Sequence, residues 1–191
     1  EKTEEGKKFF NVDNGKTTIL EVGGGLGAKT INESIGNNLT VLKRYNLNLI
    51  WQTGTSYKDQ SEEAIKRIHT EGINSYVFIH EMDKAYAAAD IIISRAGAIA
   101  ISELCCVGKP IILVPSPNVT EDHQTQNAQS LVNKNSALMV KDVESRLKLV
   151  EEIKSLSENK DLQKELSRNI KKLAVKDAAD RIADLSLELV K

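Results

Sequence analysis

Two periodicities alternate along the chain. Short apolar, β-branched runs at Thr17–Val22, Leu47–Trp51, Tyr76–Ile79, Asp90–Ser94, Ile111–Val114 and Ala137–Val140 predict six strands. Between them, apolar residues recur at helical spacing, as in Ile31, Ile35 and Leu39 or Ala64, Ile65 and Ile68. Strand, helix, strand, repeated, is the pattern of a parallel sheet covered by helices on both faces. With right-handed crossovers it predicts an α/β fold, a Rossmann-like doubly wound six-stranded sheet. After Asp142 the pattern is helical only: Leu147, Val150 and Ile153, then Leu162, Leu166, Ile170 and Leu173, then Val175, Ala179, Ile182, Leu185 and Leu189. Each stripe has Lys and Glu opposite it, which predicts helices packed on this domain or on a neighbouring one.

Composition narrows the partners. In 191 residues, 26 Lys+Arg stand against 27 Asp+Glu, a formal net charge of −1, so no overall field favours nucleic acid, and no nucleic-acid partner is expected. No apolar run approaches the roughly 20 residues needed to cross a bilayer. The two cysteines, Cys105 and Cys106, are adjacent, which argues against a disulfide scaffold or a thiolate zinc cage and for a reducing, cytoplasmic compartment. The first apolar pair, Phe9-Phe10, sits in a charged segment unlike a signal peptide. A start at Glu1 without methionine leads us to expect a piece of a longer protein.

Ligands of open parallel sheets bind beyond the carboxyl ends of the strands, where the crossovers change face. Four segments lie there. Gly23-Gly24-Gly25-Leu26-Gly27-Ala28 follows the first strand and opens a helix, so bare backbone can approach a phosphate. Gly23, Gly25 and Ala28 fit the spacing of dinucleotide binders, yet the second strand ends in Trp51-Gln52-Thr53-Gly54, without the acid that grips an adenosine ribose. A tight turn without ligand is the alternative. Ser94-Arg95-Ala96-Gly97-Ala98-Ile99-Ala100-Ile101-Ser102-Glu103 follows the fourth strand. Gly97 is expected to permit the turn, and the N–H groups of Ala98 to Ala100 are unpaired donors for a diphosphate. Glu103, a turn deeper, can accept from a ribose diol. A dipole-compensating Glu103 and a salt-bridged Arg95 are the alternatives.

The third segment, Pro115 to Asn127, is stiffened by two prolines; Asp122 can cap a helix that presents Gln124 and Asn127, amides suited to a hydroxyl-rich ligand. A merely solvated helix start is equally open. The fourth, Tyr76 to Asp83, offers backbone groups at Ile79 for the edge of a nucleobase, while His80 reads as solvated and Glu81-Met82-Asp83 as a helix start. His69, His80 and His123 lack ligand spacing, so no metal site and no cofactor are expected. No GxSxG elbow or P-loop occurs.

"ILEVGGGLGAKTINESI" and "YVFIHEMDKAYAAADIIISRAGAIAISELCCVGKPIILVPSPNVTEDHQTQNAQSLV", in this order, resemble the C-terminal, donor-binding domain of the MurG family of N-acetylglucosaminyltransferases, one half of a GT-B fold. The resemblance runs from about Lys16 to the C-terminus. It implies transfer of N-acetylglucosamine from UDP-N-acetylglucosamine to an undecaprenyl-linked muramoyl-pentapeptide, inverting and metal-independent, in peptidoglycan synthesis. It implies a protein peripheral on the cytoplasmic face of the bacterial inner membrane, with the acceptor site, catalytic base and membrane patch in an N-terminal half outside these residues. No catalytic residue is therefore assigned here. Residues 1–16 then read as a linker or helical lead-in, 17–143 as the donor-binding domain and 144–191 as C-terminal helices.

Carried over residue by residue, the resemblance puts Ile79 against uracil, Ala98, Ile99, Ala100, Ile101 and Ser102 at the nucleotide, Glu103 on the ribose and Gln124 on the sugar. Gly24, Gly25, Arg95 and Asn127 complete the expected donor site, with Arg95 a candidate to assist the leaving diphosphate. Gly25 and Ala100 stand where the family usually has hydroxyl residues. Glu21 departs too, an acid in an apolar strand for which a partner or partial exposure is expected. A UDP-N-acetylglucosamine 2-epimerase-like enzyme and a non-catalytic nucleotide-sugar-binding module are the alternatives. Gln52-Thr53 disfavours a nicotinamide-dependent oxidoreductase.

Overall fold

A computed structural model describes residues 2–117 and 122–189. Six parallel strands, β1 (Thr18–Val22), β2 (Asn48–Gln52), β3 (Ile73–Tyr76), β4 (Ile91–Ser94), β5 (Ile111–Leu113) and β6 (Leu138–Met139), lie in the order β3-β2-β1-β4-β5-β6. The order reverses between β1 and β4, where Leu20 pairs with Ile92 and Val22 with Ser94. Strand periodicity divides the core in two. Ile19, Leu49, Trp51, Ile91, Ile93 and Ile112 face one helical layer, and Leu20, Ile50, Ile92, Ile111 and Leu113 face the other. Runs of Ile and Leu without polar alternation are what a sheet buried on both faces requires.

The first layer holds α2 (Lys29–Gly36), α3 (Leu39–Arg44), α4 (Lys58–Ile68) and α8 (Ser145–Glu158). Its largest buried side chain, Trp51, donates its indole N–H to Asn32 Oδ1 at 2.9 Å, so the aromatic body is buried without stranding its polar tip. The second layer holds α1 (Lys2–Phe9), α5 (Met82–Ala88), α6 (Ala98–Val107) and α7 (His123–Val132), and α9 (Lys160–Lys171) bridges both cores through Leu166 and Ile170. Gly6 lets α1 approach α5: an added Cβ would lie 2.5 Å from the Lys84 carbonyl. Buried Lys7 fixes this helix to Asp90 at 3.4 Å, and Asp90 in turn accepts the Thr18 N–H at 2.8 Å. The last helix, α10 (Ala178–Glu188), buries no residue, and its Ile182, Leu185 and Leu187 are all more than 60% exposed.

The third strand lies earlier than its composition predicts, at Ile73–Tyr76 rather than Tyr76–Ile79. Its partner decides this. β2 ends at Gln52 opposite Tyr76, and Gly54, at φ +71°, carries the chain away, so Val77 to Ile79 have no ladder to join despite their β-propensity. The Ile79 N–H is satisfied by Gln52 Oε1 at 2.9 Å instead.

Candidate functional site

The carboxyl ends of β1 and β4 open a crevice at the topological switch, and the loops after β1, β3, β4 and β5 line it. The turn after β1 depends on two glycines for different reasons. Gly24, at φ +80°, has no atom within 4 Å of an added Cβ and leaves open space over the crevice. Gly27, at φ +78°, brings the chain so close to the next crossover that a Cβ would lie 2.1 Å from the Thr53 carbonyl. Between them Gly25 is exposed, and its missing Cβ would face Phe78 Cε2 at 4.0 Å. Half-exposed Phe78, edge-on to His80 at 4.9 Å, thus stands across the turn beside buried Ile79.

After β4, the first bond of α6 runs from Ile101 N–H to the Gly97 carbonyl at 2.9 Å, so the N–H groups of Ala98, Ile99 and Ala100 precede the ladder. Ala98 and Ile99 are exposed there. Gly97 corrects an expectation: its φ of −67° and ψ of 147° suit any residue. With no neighbour within 4 Å of an added Cβ, the glycine keeps the helix start bare rather than making the turn possible. Ser102 turns its hydroxyl back to the Ala98 carbonyl at 3.0 Å. Glu103, exposed in the second turn, accepts the Tyr86 phenol proton at 3.0 Å.

Arg95 does not project freely into the crevice. It donates to the carbonyls of Val114 at 3.0 Å and Pro115 at 3.2 Å and forms an ion pair with Asp142. Two amides of α7 knit the neighbouring loops. Gln124 Oε1 accepts the N–H groups of Ala96 at 3.1 Å and Ser116 at 2.9 Å, and Asn127 Nδ2 donates to the Ala96 carbonyl at 3.1 Å. Asp122 occupies the position before α7 but makes no capping bond with its side chain. Residues 118–121 of the expected third segment lie outside the described residues. Pro115, Pro117, Thr125, Asp142 and Val143 border a cavity of about 290 Å³ beyond β5 and β6.

Glu21 overturns its expectation. It is fully buried on the first-layer face between Trp51 and Ile93, and neither carboxylate oxygen has a hydrogen-bond partner. Burial pushes its pKa well above the usual carboxylate range, only partly opposed by the charge of Arg95. Burial without a partner therefore favours the neutral acid over the charged form. Among the described residues no cluster of three His, Cys, Asp or Glu could hold a metal.

Motif reading brought Ile79, the α6 start, Gln124 and Asn127 to one place but missed Tyr86, Phe78, Gln52 and Asp142. Tyr86 was the most legible of these, a polar-tipped aromatic in the alanine-rich segment Ala85–Ala89.

The model of the glycosyltransferase family 28 C-terminal domain matches residues 18–182. A UDP-N-acetylglucosamine--N-acetylmuramyl-(pentapeptide) pyrophosphoryl-undecaprenol N-acetylglucosamine transferase of Cytophaga hutchinsonii is 48% identical over 182 residues, 95% of this chain and 48% of that protein. The protein of the same name from Parabacteroides distasonis is 46% identical over 189 residues, 99% of this chain and 51% of that protein. The crystal structure of Acinetobacter baumannii MurG superposes with a TM-score of 0.80 at 28% identity, covering 96% of this chain and 52% of that one. A UDP-GlcNAc 2-epimerase from Neisseria meningitidis shares the fold alone, with a TM-score of 0.66 at 16% identity over 97% of this chain and 48% of that one. The chain spans about half the length of the curated relatives it matches. With the family model running from β1 into α10, across every loop of the crevice, this chain belongs to the family of glycosyltransferase family 28 C-terminal domains.

Proposed function

We propose that this chain is the donor-binding half of an inverting N-acetylglucosaminyltransferase that takes UDP-N-acetylglucosamine and serves the undecaprenyl-linked muramoyl-pentapeptide acceptor. The names of its relatives support the substrates. The observation that carries the donor site is the bare start of α6 with Glu103 one turn deeper. Unpaired N–H groups at Ala98 to Ala100 suit a diphosphate, and the carboxylate of Glu103 suits the two ribose hydroxyls. The carbonyl of Ile79 and the face of Phe78 flank the space for a uracil. Gln124 commits its oxygen to the loops and keeps its Nε2 donor for a sugar hydroxyl.

In this reading the acceptor hydroxyl attacks the anomeric carbon as the bond to the diphosphate breaks, and UDP leaves with the electron pair. The α6 N–H groups stabilise the charge that grows on it. The base that takes the hydroxyl proton, the acceptor site and the contact with the cytoplasmic membrane face belong to the other half of the protein. The apolar stripe of α10 supports a further part of the reading, that the C-terminal helices reach toward that half. Residues 17–143 are the donor domain and 1–16 lead into it.

Thermal melting of the chain with UDP-N-acetylglucosamine, UDP and NAD tests the donor site. A ligand at 100 times its Kd stabilises by ~2.7 kcal/mol, several degrees for a domain of this size. Shifts are expected with both uridine nucleotides. A shift with NAD alone would overturn the reading.

A further inference from the structure

We propose that Tyr86 is a positioning residue for the nucleotide's pentose: its phenol holds one oxygen of Glu103 so that the carboxylate meets a vicinal diol already oriented. The proposal rests on the reading that Glu103 binds ribose. Its basis is the single bond between neighbouring helices, Tyr86 O–H on α5 to Glu103 Oε2 on α6 at 3.0 Å. Among the described residues no other side chain bonds or pairs with Glu103. The ring of Tyr86 packs against the second-layer core, so the phenol is fixed while the carboxylate it reaches is exposed.

Proton inventory sets the direction. A carboxylate is acceptor-only and a phenol carries one proton, so Tyr86 donates. A carboxylate offers about four lone-pair sites, and one spent on Tyr86 leaves enough for two hydroxyls. An exposed glutamate without this tether would have to freeze its side-chain torsions on binding, and that ordering opposes association. Burial, the charge of Glu103 and the hydrogen bond itself all raise the Tyr86 pKa, so the donor keeps its proton through the neutral and alkaline range.

The test is calorimetric titration of the 191-residue chain with UDP and with 2′,3′-dideoxy-UDP, in the parent, Tyr86→Phe, Glu103→Ala and the double variant. Tyr86→Phe keeps the packed ring and removes only the proton donor. It is expected to weaken UDP by about two- to tenfold, as loss of one hydrogen bond does. It should leave dideoxy-UDP unchanged and have no effect once Glu103 is alanine. Equal weakening of both nucleotides, or further weakening in the Glu103→Ala background, would mean that Tyr86 acts on the fold and would overturn the proposal. So would a silent Tyr86→Phe beside a damaging Glu103→Ala. If Glu103→Ala binds UDP as the parent does, or the parent binds no UDP at millimolar concentration, the ribose reading itself fails and the proposal with it.

Discussion

Arg95 and Asp142 form an ion pair across the mouth of the sheet, with side chains only 19% and 11% exposed. Asp142 Oδ2 also accepts the Thr30 hydroxyl proton at 2.9 Å, so one carboxylate ties the exit of β4 to α2. One guanidinium nitrogen, Nη1, is thereby engaged, and the charge is partly neutralised. The pairing braces the loop that leads into α6. Asp142→Asn leaves a half-buried arginine without its counter-charge, and breaking such a pair costs up to about 3–5 kcal/mol in a fully buried setting. Arg95 keeps its two carbonyl partners, so the loss expected here is about 2 kcal/mol, read from the urea midpoint. A loss below about 0.5 kcal/mol would place the pair among ordinary surface contacts.

Glu21 is expected to cost stability in a pH-dependent way. Its folded pKa is raised, so the native state holds a proton that the unfolded chain releases once pH passes the usual carboxylate range. Stability relative to a non-titrating variant is therefore lost as pH rises, from about 4 upward until the folded pKa is reached. Glu21→Met fills the same space without a stranded polar group and is expected to stabilise by about 1–3 kcal/mol even at acid pH. The gain should widen toward neutral pH in melting curves taken from pH 4 to 8. A gain that shrinks with rising pH would show the acid to be charged and favourably placed.

The two sides of the glycine turn should respond in opposite ways. Gly25→Ser meets nothing nearer than Phe78 at 4.0 Å, so stability is expected to stay within about 0.5 kcal/mol. On the proposed donor site, the added hydroxyl should tighten UDP-N-acetylglucosamine by about two- to tenfold in titration. Gly27→Ala combines a positive φ with a Cβ 2.1 Å from the Thr53 carbonyl and should unfold or strongly destabilise the chain.

Gln124→Ala is expected to weaken UDP as well as the sugar nucleotide, because it removes the acceptor shared by Ala96 and Ser116 and loosens the entry to α6. Gln124→Glu keeps that acceptor, removes the Nε2 donors and adds a negative charge. Both variants lack the Nε2 donors, so the ratio of UDP-N-acetylglucosamine to UDP affinity should fall for both. A ratio untouched by both would dissociate Gln124 from the sugar.

What could be read from the sequence was what depends on local pattern. The apolar runs of β1, β2, β4 and β5 mark a sheet buried on both faces, and the gaps between them carry helical stripes, so the architecture and the loops of the crevice were legible. β3 was not, because its register depends on where β2 ends and Gly54 turns away, a relation between distant segments. Glu21 misled for the converse reason: an acid in a strand implies a partner, and the fold instead buries it without one. Arg95 after β4 and Gln124 at the start of α7 are legible from the motifs, but their partners, Asp142 and the N–H groups of Ala96 and Ser116, appear only once the chain is folded.

The bareness of α10 carries a consequence for exchange with solvent. Eleven residues with none buried fall short of the ~12–15 at which a lone helix sustains itself in water. Its amide hydrogens should therefore be replaced by deuterium far sooner than those of α9, which Leu166 and Ile170 anchor in the core. When Ile182 and Leu185 are covered by a complementary surface, that difference should collapse, making the labelling rate of one peripheral helix a gauge of whether a partner surface has docked on it.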